Sequence, residues 1–199
     1  MKSNVCKIEN GTRDLEAILE ESQRVAAYNG LTHKQTLQLR LLCEELDGML
    51  PNIIDDFDGD FWIEFEEGVC KVNVSVTFKT FTAENKEALI DVAKNKTNAA
   101  AVGIVGKIRS VIENVFLDEA SAQLGAISSP SLHFGTGCSE GVDFSYIWSL
   151  EQYRATVKKE EQAEAWDELE KSVIASVADD VIVGVKGKQA NITVVKKFA

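Results

Sequence analysis

The chain has 199 residues, 45% hydrophobic and 27% charged, with 32 acids against 21 bases for a formal net charge of −11. The apolar share is enough for a core and argues against disorder, while the acidic balance disfavours nucleic acids and anionic membranes as partners. No apolar run approaches the roughly 18 residues that span a bilayer, and no signal-type apolar segment follows Met1, so the reading is a soluble, cytoplasmic protein.

In chain order, Val5 to Glu9 (VCKIE) predicts a short strand closed by Asn10-Gly11. Thr12 or Asp14 then opens a helix with Leu15, Ile18, Leu19, Ser22, Val25 and Ala26 on one face, and Asn29-Gly30 stops it. Leu31 to Ile54 predicts one long helix. Thr32 is its N-cap, with Gln35 completing a capping box, and Pro51 should kink or end it. Its apolar stripe is expected at Leu37, Leu41, Leu42, Leu46, Met49 and Ile53. Glu44 and Glu45 interrupt that run. A carboxylate beside a buried stripe is costly unless it has a task, so the pair either marks a site or lies at the stripe's wet edge. Both readings stay open.

The FDGD stretch from Phe57 to Asp60 reads as a turn. A hairpin follows, with strands over 61–66 and 69–79 around Glu67-Gly68. Val72, Val74, Val76 and Phe78 alternate with Lys71, Asn73, Ser75 and Thr77, so one face is covered and the other is wet. Helices are expected over 83–96 and 98–116, an irregular loop over 125–141, and further helix over 149–177, in one part or two, with Trp166, Leu169, Val173, Ile174 and Val177 forming the later stripe. The chain closes on a second hairpin, 181–185 and 190–198, turning at Lys186-Gly187-Lys188.

Local motifs carry little chemistry by themselves. Gly103-Ile-Val-Gly106-Lys107 suggests a phosphate loop, but Ile108 replaces the Ser/Thr, and close helix packing through small residues is the simpler reading. Asp179-Asp180 could hold a metal or simply turn the chain into a strand. Cys6, Cys43, Cys70 and Cys138 form no CxxC pair, which disfavours structural zinc; Cys43 and Cys70 read as reduced core residues. His33 and His133 are isolated, and no nucleophile–base set assembles.

The segments LRLLCEEL, GDFWIEFEEGVCKVNVSV and ADDVIVGVKGKQANITVVKKF, with the order of elements around them, resemble the histidine-kinase-like (GHKL) ATP-binding fold. Within it the chain is most similar to the compact bacterial anti-sigma-factor serine kinases. The resemblance implies an α/β fold, a two-layer α+β sandwich of a mixed sheet with helices on one face. It implies a single domain over 1–199, with its core in 1–82 and 160–199 and a variable helical and loop insertion at about 83–159. An ATP or ADP site is implied, with Glu45 as the catalytic base and Glu45, Gly103, Gly106 and Lys107 as candidate nucleotide contacts. The family's magnesium-binding asparagine is replaced by Met49, a poor ligand for a hard cation, so magnesium is not expected. Phe78-Lys79-Thr80-Phe81 stands where an Asp-x-Gly box should read the adenine. The expectation is therefore a regulatory protein that binds a sigma factor or another regulator, with weak or absent nucleotide turnover. An active ATPase or serine kinase is the second reading, and a structural or small-ligand-sensing homodimer the third.

Overall fold

In the computed structural model the described residues are 1–10, 14–54, 56–78, 103–122, 146–157 and 172–198. Among them the chain runs β1 (Cys6–Glu9), α1 (Leu15–Tyr28), α2 (His33–Ile53), β2 (Phe57–Glu66), β3 (Val69–Phe78) and α3 (Gly103–Ala122). It continues through β4 (Tyr146–Ser149), α4 (Leu150–Val157), α5 (Val173–Val177), β5 (Asp180–Lys186) and β6 (Gln189–Lys197). The strands form one sheet in the order β1-β2-β3-β6-β5-β4. Every pairing among the described strands is antiparallel, which corrects the expected mixed sheet. The two hairpin turns impose two of those pairings, and β6 enters between β3 and β5 running against both.

Strand alternation sets the layers. Cys70, Val72, Val74, Val76 and Phe78 of β3 lie in register with Phe65, Ile63, Phe61 and Phe57 of β2 and with Val194, Ile192 and Ala190 of β6, and all of these are buried. Val181, Val183 and Val185 continue that face. The described helices supply its cover: Ile18 and Val25 from α1, Leu39, Leu42, Leu46 and Leu50 from α2, and Ile104 and Ile108 from α3 join one core. The other face is polar and paired across strands. Lys7 meets Asp60 at 2.5 Å, Thr193 donates to Asn73 at 2.9 Å, and Gln189 donates to Ser75 at 3.2 Å. Trp62 donates its indole N–H to Glu64 at 2.9 Å, beneath the Lys2 ammonium.

The long helix begins as the sequence predicts. Thr32 accepts from the Gln35 amide while the Gln35 side chain accepts from the Thr32 amide, so the capping box closes. Asp14 caps α1 through the Ala17 amide at 3.0 Å, and Gly30 adopts φ +64° beyond its end. The stripe of α2 needs correction. Leu42, Leu46, Met49 and Ile53 are buried, but Leu37 is 51% exposed and Leu41 only half-buried. Leu39, Cys43 and Leu50 complete the buried face instead. A second correction concerns FDGD, which is the first part of β2 rather than a turn. Gly59 lies so close to β3 that a Cβ there would stand 2.4 Å from the Ser75 carbonyl oxygen, so the glycine serves strand contact and not chain reversal.

Ser149 ends a strand rather than opening a helix, and the later helix is seen as α4 and α5. The expected helix at 83–96, the loop at 125–141, and Trp166 and Leu169 lie outside the described residues. Within the stretch read as an insertion, α3 contributes Ile104, Ile108, Val111, Ile112 and Val115 to the core, and β4 pairs with β5. No helix among the described residues is long and apolar enough to cross a membrane.

Candidate functional site

Glu44 and Glu45 occupy the fourth turn of α2, after its inward face has passed through Cys43 and before it returns at Leu46. Glu44 is exposed and Glu45 half-exposed, so both lie at the wet edge of the stripe. Met49, one turn beyond Glu45, is 6% exposed and packs into the core. A thioether held there by apolar neighbours offers no oxygen to a cation beside Glu45. The buried acid of this helix is Asp47, 3% exposed, which the sequence offers only as a substitute oxygen off the Glu45–Met49 line and not as a buried residue. A stripe drawn through Leu37 and Leu41 places position 47 off its centre; one drawn through Leu39, Cys43 and Leu50 places it inside.

Gly103, Gly106 and Lys107 are brought together in the first turn and a half of α3, whose opening glycine has φ +79°. Gly106 is buried between Ile104 and Ile108, as expected of a helix packed through a small residue. The Lys107 ammonium lies over the Tyr153 ring, 5.0 Å from its centroid, and Tyr153 in turn stands against Trp148 with ring centroids 6.0 Å apart. Thus the lysine read as a phosphate ligand joins α3 to α4. Among the described residues no ion pair joins Lys107 to Glu45 on α2. Trp148 and Tyr153 escaped the sequence reading, although the aromatic run Phe144-Ser-Tyr-Ile-Trp148 carries a strand signal.

Asp179 and Asp180 perform structural work. Asp180 accepts from the Ser149 hydroxyl at 3.1 Å and from the amides of Glu151 at 2.9 Å and Val181 at 2.8 Å, fastening the start of α4 to β5. Asp179 accepts from the Lys197 amide at 2.6 Å and the Lys196 ammonium at 3.5 Å. Glu21, buried in α1, accepts from the Asn4 backbone and side-chain N–H groups and pairs with Arg24 at 3.0 Å, tying α1 to the segment before β1. Among the described residues no group of three or more His, Cys, Asp and Glu side chains is arranged to hold a metal ion.

Three thiols face the core side. Burial, with smaller contributions from Cys70 and Cys6, pushes Cys43 well above the ordinary thiol range. Burial raises Cys70 to about 12. Cys6, half-buried, is raised by burial and then by Glu21 and Asp14. A thiol kept protonated is a poor nucleophile and a poor metal ligand, so Cys43 and Cys70 behave as core side chains. Comparison with known proteins adds no assignment: no protein-family model, curated protein or solved structure matches the chain.

Proposed function

We propose that the protein is a regulatory, protein-binding domain on a histidine-kinase-like scaffold, akin to an anti-sigma-factor kinase, with little or no ATP turnover. Burial of Met49 carries this reading. The position that would hold the metal beside Glu45 is occupied by an apolar side chain in the core, and the Lys107 ammonium already has an aromatic partner. The order of elements supports the scaffold: a first strand, paired helices, a hairpin, and a closing helix and hairpin that join the same sheet. The acidic chain suits a partner with a basic surface, such as a sigma factor or another regulator.

Thermal unfolding with and without magnesium and ATP tests the nucleotide half of this reading. A ligand at 100 times its dissociation constant stabilises by about 2.7 kcal/mol, a shift of several degrees for a domain of this size. The expected result is no shift, and no phosphate release with magnesium or manganese. Turnover that disappears in Glu45→Ala would make the protein an ATPase or serine kinase instead.

A further inference from the structure

The outward face of α2 has a symmetry that the nucleotide reading does not use. Lys34, Leu37 and Glu44 are exposed along it, with half-buried Leu41 and Glu45 alongside. Leu37 is 51% exposed, among the larger apolar exposures of the described residues. Measured from Gln38-Leu39-Arg40, the two leucines stand at equal distances on either side, and the base and the acids stand at equal distances beyond them. In an α-helix these positions fall within one outward arc, because Leu37, Leu41 and Glu44 are three or four residues apart and Lys34 is three before Leu37.

We infer that this face pairs antiparallel with the same face of a second copy of the chain. A two-fold interface uses one patch twice, so it must be complementary to itself. Turned end for end about residue 39, Leu37 of one copy meets Leu41 of the other, and Leu41 meets Leu37. Lys34 is set against the Glu44–Glu45 pair at each end. Four leucine side chains then form a dry centre, flanked by two sets of opposite charges. Parallel pairing would instead stack like charges on like, with Lys34 beside Lys34 and Glu44 beside Glu44, which argues against it. A single helix pair covers less surface than a permanent dimer needs, so the association is weak and salt-sensitive. The inference assigns a task to the paired glutamates and does not depend on whether nucleotide binds.

Sedimentation equilibrium across a dilution series of the full chain tests it. The wild-type mass should rise toward that of a dimer with concentration and fall back in high salt. Leu37→Glu places a charge in the dry centre. It should weaken association by about tenfold or more while the circular dichroism spectrum stays unchanged, since the residue is exposed. Lys34→Glu should weaken it as well, and adding Glu44→Lys and Glu45→Lys to that variant should restore the wild-type mass profile. A wild-type protein that remains monomeric at the highest concentration overturns the inference. So does a dimer indifferent to Leu37→Glu, or a charge-reversed variant that fails to reassociate.

Discussion

The two sides of α2 obey different rules although they share one backbone. On the sheet side Leu39, Leu42, Leu46 and Leu50 are fully buried, with Cys43 among them. On the outward side Leu37 is half in water, Glu44 is exposed, and a Cβ at Gly48 would meet nothing within 4 Å. Leucines on one helix therefore belong to different energetic classes, and residue type alone does not say which. Burial against the sheet, rather than helix propensity, fixes the register of this helix on its neighbours.

The largest expected effect breaks or confirms that contrast. Leu46→Ala should cost about 2–5 kcal/mol in urea unfolding, the range for deleting a buried leucine, whereas Leu37→Ala should stay within about 0.5 kcal/mol at concentrations where the chain is monomeric. Equal losses at both positions would mean that the outward face is also covered.

Next in size is an alkaline effect confined to the inward side. The folded thiol of Cys70 stays neutral up to about 12, and burial holds Cys43 well above the ordinary thiol range. The unfolded chain loses those protons near its ordinary value. Stability held below that value is therefore lost as pH climbs from about 9 toward the folded pKa, by about 1.4 kcal/mol per thiol between pH 8 and 10. Cys70→Val should flatten the slope in that window; an unchanged slope would remove the thiol from the explanation.

Smaller effects sharpen the comparison at the helix's own level. Thr32→Ala removes the acceptor for the Gln35 amide and should cost about 1 kcal/mol, most of which Thr32→Asp should recover. Gly48→Ala should stabilise the monomer by about 0.5–1 kcal/mol, since the position is helical and open. Differential scanning calorimetry of the three single variants reads these effects, and a loss at Gly48→Ala would reveal a neighbour at the outward face.

Much of the architecture was legible because it rests on local chemistry. The capping box at Thr32, the glycine stop at Gly30, and the hairpins around Glu67-Gly68 and Gly187 each need only a few adjacent residues. The misreadings share a non-local cause. Aspartate and glycine in FDGD spell a turn until β3 is known to press against Gly59. Leu37 fits an apolar period equally well whether or not anything packs on it. Tyr146 to Ser149 pairs with a strand more than thirty residues further on, and nothing in its immediate neighbours announces that partner. The candidate site was less legible still. The residues Glu45 and Lys107 could be named, but the placement of Lys107 over Tyr153 depends on how two helices meet.

The position of β6 has a consequence for how the protein comes to be folded. This last strand of the described chain lies in the middle of the sheet, and its Thr193 bonds to Asn73 across 120 residues. Until it arrives, the β2–β3 hairpin keeps an open edge beside Val72 and Val74, and β5 has no link to the first half of the sheet. Closing so long a loop carries an entropy cost that local hairpins do not, which places docking of the C-terminal hairpin late in folding. The waiting edge of β3, rich in valine, is then the surface on which a nascent or refolding chain is most exposed to mispairing with another copy.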